Sequence, residues 1–82
     1  MVVAEVQRLL EHNLGDAEIM VASDDDTHFQ ATIVSDVFKN MKLIERQRMI
    51  YSFLGDHITN GAIHALSLKT FTKEEWSAKC SN

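Results

Sequence analysis

The side chains singled out by type and spacing as candidates to bind a metal or move a proton are His12, His28, His57 and His64, the single Cys80, and the acid run Asp24-Asp25-Asp26. One cysteine excludes an intramolecular disulfide and a cysteine-rich zinc site. The three aspartates are contiguous, whereas a calcium loop of the EF-hand type needs alternate ligands, a central glycine and a distal glutamate, so they read as a solvated loop. Glycine occurs only at Gly15, Gly55 and Gly61, which leaves no phosphate-cradling loop, no Gly-x-Gly-x-x-Gly and no nucleophile elbow. His12 and His57 fall near the C-terminal ends of predicted helices, where the helix dipole accounts for an imidazole, and they receive no function. His28 and His64 differ because each opens a predicted strand beside a loop, where a ring is held rigidly at the rim of a sheet and still reaches a partner. A neutral imidazole there can ligate a metal; a hydrogen-bonded structural role is the alternative for both. Two histidines close neither a tetrahedral zinc site nor an iron-sulfur cluster, so any missing ligands would come from another molecule.

A second candidate is electrostatic. The net charge of −4 is uneven: residues 1–36 hold Arg8 against eight acids, net −7, while residues 37–82 hold seven bases against four acids, net +3. Lys39, Lys42, Arg46 and Arg48 surround the single acid Glu45, a cluster able to meet phosphate or an acidic partner surface. The competing reading is a solvated helix face.

The elements that must position these residues follow from periodicity. Val3, Val6, Leu9, Leu10 and Leu14 lie on one helical stripe, which predicts a first helix over about 2–14 ended by Gly15. Two short apolar, β-branched segments, 17–23 and 28–34, flank Asp24 to Thr27 and predict an antiparallel hairpin with a flexible loop. Ser35 and Asp36 cap a short helical turn before Val37, Phe38 and Met41. Leu43, Gln47, Ile50, Leu54 and Ile58 form the stripe of a second helix over about 42–58, stopped by Thr59-Asn60-Gly61. Residues 62–71 alternate as a third strand, with His64, Leu66 and Leu68 on one face and Ile63, Ala65 and Ser67 on the other, a pattern expected of a strand inside the sheet. Thr72 and Glu75 form a capping box, and Phe71 staples to Trp76, so a short last helix begins at Lys73. The order is that of an α+β domain: a three-stranded sheet with helices packed on one face.

Eighty-two residues make one small domain, 1–82, with no separate catalytic unit. With 45% apolar residues, 24% charged and no proline, the composition is that of a folded globule and favours a binding module over an enzyme. The N-terminal stretch carries Glu5 and Glu11 and lacks a basic start and a cleavage site, and no apolar run approaches the roughly 20 residues that span a bilayer, so a cytoplasmic protein without membrane contact is expected.

Several stretches taken together resemble the BolA family, most closely its short bacterial members of the IbaG type: His28-Phe29, then Ile33-Val34-Ser35 with Phe38, Arg46-Gln47-Arg48-Met49-Ile50-Tyr51, Ile63-His64-Ala65-Leu66-Ser67, and Thr70-Phe71-Thr72 with Glu75-Trp76. The resemblance implies a class II KH-like fold and a non-enzymatic partner of monothiol glutaredoxin and glutathione. It implies that the pair shares a [2Fe-2S] cluster, absent from the isolated chain, in iron-sulfur cluster trafficking or iron regulation. By the same resemblance His64 is an iron ligand. The second ligand belongs to the loop between the first two strands, with His28 the nearest candidate and a loop aspartate or a glutaredoxin or glutathione thiolate the alternatives. The rival reading, also from the family, is a nucleic-acid-binding transcriptional regulator acting through Lys39, Lys42, Arg46 and Arg48. The absence of a Gly-x-x-Gly clamp and the negative net charge predict that any DNA binding is weak. The free chain is compatible with a monomer or a homodimer. Three residues depart from the family pattern: Asn40 where glycine is usual, Gln47 in place of histidine, and Lys73 in place of proline.

Overall fold

A computed structural model describes residues 1–80. In chain order it holds α1 (Val3–Leu14), β1 (Glu18–Ser23), β2 (His28–Val34), a 3-10 turn (Asp36–Phe38), α2 (Leu43–Thr59), β3 (Ala65–Phe71) and α3 (Lys73–Cys80). β1 and β2 form the expected antiparallel hairpin, with Ser23 opposite Phe29. β2 and β3 run parallel, with His28 beside Ala65 and Val34 beside Phe71. A parallel pair cannot be joined by a tight turn, and α2 provides the long return connection that this pairing requires.

The strand order is β1-β2-β3, so the central strand is β2 and β3 lies at an edge. This corrects the expectation that 62–71 is the inner strand. The physical reason is burial: Phe29, Ala31 and Ile33 of β2 are all buried, whereas β3 exposes Ala65, Ser67 and Lys69 and only half-buries Leu66 and Leu68. The outer edge of β3 is partly covered from α2, where the Tyr51 hydroxyl donates to the Leu66 carbonyl at 3.2 Å.

One apolar cluster holds the layers together. Val6 and Leu10 of α1 and Ile50 and Leu54 of α2 meet Ile19, Phe29, Ala31 and Ile33 from the sheet, with Phe38 and Ile63 closing the ends. Each fully buried side chain of this size contributes about 1.5–3 kcal/mol. α2 is rotated from its predicted stripe: Leu43 is 72% exposed and Gln47 is exposed, while Arg46 takes the inward position in the row Arg46, Ile50, Leu54.

The local signals at the helix ends hold. Thr72 Oγ1 accepts from the Glu75 amide at 3.1 Å while Glu75 Oε1 accepts from the Thr72 amide at 2.7 Å, and the Phe71 and Trp76 rings lie 5.1 Å apart. Asn40 sits at φ 63, the left-handed region that asparagine tolerates. Lys73, in the place of a proline, uses the amide hydrogen a proline lacks: it donates to Asp36 Oδ1 at 3.1 Å.

Candidate metal-ligand site

The site is assembled by strand register. Residues 28 and 64 are 36 positions apart in sequence, and the parallel pairing of His28 with Ala65 sets them side by side at one end of the sheet. His64 precedes β3 instead of lying within it, because the amides that would extend the strand have other partners. The Ala62 amide donates to Asn60 Oδ1 at 2.9 Å and the Ile63 amide to the His57 carbonyl at 2.9 Å, across a turn in which Gly61 has φ 82. The His64 amide then donates to the Thr27 carbonyl at 2.7 Å, which ties its backbone to the loop that carries His28.

The two rings have centroids 5.9 Å apart and are tilted by 51°. Both side chains are exposed, whereas the neighbouring Leu66 and Leu68 are half-buried. Imidazole nitrogens bind metals at about 2.0–2.1 Å, so two rings at this spacing are close enough to share one ion after a small side-chain adjustment. Among the described residues no group of three His, Cys, Asp or Glu could hold a metal. The donor set here is thus two exposed imidazoles, with no third such side chain grouped with them among the described residues. Among the described residues the His64 ring makes no hydrogen bond, which leaves the structural-histidine alternative without a bond to support it there.

The Asp24 to Thr27 loop is tied down more than its sequence suggests. Ser23 Oγ donates to the His28 carbonyl at 2.6 Å and accepts from the Asp26 amide at 3.0 Å. Asp25 Oδ1 accepts from the amides of Thr27 at 3.0 Å and His28 at 2.9 Å, and its Oδ2 meets His28 Nδ1 at 2.7 Å. The amides of His28 and Thr27, followed by the His28 ring, hold the Asp25 carboxyl well below the usual carboxylate range. Both Asp25 oxygens are thus engaged inside the loop, and the side chains of Asp24 and Asp26 make no hydrogen bond among the described residues. Of the loop residues kept open as ligands from sequence, His28 has its ring 5.9 Å from that of His64, and Asp25 is engaged with Thr27 and His28.

The basic cluster does not stay together. Lys39, Lys42 and Arg48 are exposed, with Lys39 Nζ 3.7 Å from Asp36. Arg46 points inward and is 6% exposed, which corrects its assignment as a nucleic-acid or partner contact. Its Nη1 and Nη2 pair with Glu75 Oε1 at 2.8 Å and Oε2 at 3.3 Å, its Nε donates to the Met41 carbonyl at 3.1 Å, and its guanidinium lies 5.6 Å from the centre of the Phe38 ring. The guanidinium, together with the Thr72 amide, lowers the Glu75 carboxyl to about 2. The sequence signal for this was available: Glu75 at N3 of a capped helix is an acid of fixed position, able to select one arginine from the cluster.

Comparison with known proteins settles the family. The model of the family described as BolA-like protein matches residues 5–75. This chain belongs to the BolA-like family. The acid stress protein IbaG of Escherichia coli is 36% identical over 73 residues, covering 89% of this chain and 86% of that protein. A Haemophilus influenzae protein named DNA-binding transcriptional regulator BolA is 44% identical over 54 residues, covering 66% of this chain and 52% of that protein. The solved structure of a BolA homologue from Coxiella burnetii superposes with a TM-score of 0.80 at 31% identity, covering 94% of this chain and 97% of that one. The BolA-like architecture agrees with the α+β expectation and is compatible with its KH-like description. Among the described residues no helix is long and apolar enough to cross a membrane.

Proposed function

We propose that this BolA-like chain is a non-enzymatic cytoplasmic partner that lends two imidazoles, from His28 and His64, to a [2Fe-2S] cluster shared with a monothiol glutaredoxin and its glutathione. The observation that carries this reading is the pair of exposed rings at 5.9 Å on one rim of the sheet, with no third metal-ligating side chain grouped with them among the described residues. A [2Fe-2S] centre takes four protein or thiol ligands, so two imidazoles from this chain leave two positions for thiolates of the partner complex. Imidazoles in place of thiolates raise the potential of such a cluster, which suits transfer or sensing in iron regulation. The chain's own contribution is positional. Register sets the two rings together, and the backbone bond from His64 to Thr27 links the two segments that carry them.

The test is reconstitution of the chain with a monothiol glutaredoxin, iron, sulfide and glutathione, followed by visible circular dichroism of the isolated complex. His64→Ala is expected to remove or markedly change the imidazole-ligated signal, and His28→Ala to do the same more weakly. Neither should move the melting temperature by more than a few degrees, since the His64 ring has no hydrogen bond among the described residues to lose and the His28 ring is on the surface. A spectrum identical in all three proteins would refute the ligand assignment.

The regulator reading retains one specific support, the exposed cations Lys39, Lys42 and Arg48, and two relatives carry the name of a DNA-binding regulator. It ranks second because the most buried cation of that cluster, Arg46, is committed to Glu75.

A further inference from the structure

Of the three consecutive aspartates in the hairpin loop, only the middle one has a side-chain hydrogen bond among the described residues, and one of its partners is a ring nominated as a ligand. From this contact we infer that Asp25 is a positioning residue: it holds His28 in the tautomer protonated at Nδ1, so that Nε2 is the atom offered at the shared rim. The inference rests on the ligand reading above, and it adds which atom binds and which residue selects it.

Asp25 Oδ2 lies 2.7 Å from His28 Nδ1. An ionised carboxylate only accepts, so the proton of this bond sits on the ring nitrogen. The carboxylate is also oriented before any metal arrives, because Oδ1 is fixed by the amides of Thr27 and His28. Thr27 Oγ1, 3.0 Å from the same ring nitrogen, accepts a share of that hydrogen. With Nδ1 closed off, the lone pair available to a metal is on Nε2, which makes no hydrogen bond among the described residues. This is the carboxylate-histidine arrangement by which metal-binding imidazoles are commonly oriented and made more basic. Asp24 and Asp26 carry the same charge in the same loop without contact to the ring, so they serve as internal controls.

Asp25→Asn is the informative change. The amide oxygen can keep the two backbone bonds that Oδ1 makes, which turns its NH2 group toward Nδ1 and demands an acceptor there. The ring should then switch to the tautomer protonated at Nε2. The experiment is long-range proton–nitrogen NMR of the His28 ring in the isolated full chain at neutral to mildly alkaline pH, with Asp24→Asn and Asp26→Asn measured beside it. The expected result is an Nδ1-protonated ring in the parent chain and both controls, and loss or reversal of that preference in Asp25→Asn, with backbone amide signals outside residues 23–28 unmoved. Titration with Ni²⁺ should show affinity reduced about 10–100-fold in Asp25→Asn and unchanged in the controls. An Nε2-protonated His28 in the parent chain, or a tautomer indifferent to Asp25→Asn, overturns the inference. If the tautomer follows Asp25 as stated while His28→Ala leaves the reconstituted cluster spectrum unchanged, the ligand reading fails and the assignment of Asp25 to the ring stands.

Discussion

Replacing Arg46 by alanine tests whether this residue belongs to the fold or to a binding surface. The side chain is 7% exposed and makes two bonds to the Glu75 carboxylate, one of 2.8 Å, with further bonds to the carbonyls of Met41 and Thr70 at 3.1 and 3.4 Å. A hydrogen bond involving a charged group is worth about 1.5–3 kcal/mol when its partner is left buried, and an exposed ion pair about 0–1 kcal/mol. Glu75 is 48% exposed and regains water on truncation, so most of the cost comes from the two carbonyls and the lost packing on Phe38. About 2–4 kcal/mol is therefore expected, or roughly 10–25 °C in melting temperature for a domain of this size. The assay is urea unfolding followed by the fluorescence of the single Trp76, which packs on Phe71. The pH dependence has a definite sign. Because the fold depresses the Glu75 carboxyl to about 2 from an ordinary 4.5, its contribution is complete above 4.5 and is lost as pH falls toward 2. The difference between the parent chain and Arg46→Ala should thus be largest near neutrality and shrink across that interval. A variant that melts within about 2 °C of the parent at pH 7 would refute the structural role of Arg46.

Cys80 is exposed at the end of α3, far along the chain from the histidine pair, so Cys80→Ser is expected to leave the reconstituted cluster spectrum unchanged; its loss would overturn the ligand assignment. If DNA binding occurs through the basic segment from Lys39 to Arg48, its exposed cations are Lys39, Lys42 and Arg48, with Lys39 already 3.7 Å from Asp36, so the slope of log affinity against log salt should not exceed about 3 in magnitude, and binding should be negligible at physiological salt. Sequence-specific binding that survives physiological salt would promote the regulator reading over the cluster reading.

Much of the local structure was legible from the sequence because its causes are local. The Thr72–Glu75 box, the Phe71–Trp76 staple, the hairpin around Asp24 to Thr27 and the helix stops at Gly15 and Asn60 depend on residues within a few positions of one another, and each is where periodicity and capping chemistry put it. The chemical identity of the two rim histidines was legible for the same reason: both lie beside a loop at a strand start. Other features depended on distant parts of the chain. Arg46 and Leu43 compete for the inward side of α2, and hydrophobic periodicity favours the leucine. The charge lost on burial is returned only by Glu75, 29 residues away, so burial of the arginine is visible only once α3 is docked. The order of strands was likewise set by which one the two helices cover most completely, not by the apolar content of 62–71 taken alone. Within the loop, sequence offered three equivalent aspartates, and the closed turn, with Ser23 and two backbone amides, made one of them the partner of His28. The pairing of His28 with His64 is the clearest such case: the sequence alone determined the residue types and their places beside loops, while the 5.9 Å between the rings exists only because α2 carries the chain back to lay β3 parallel to β2 in one register.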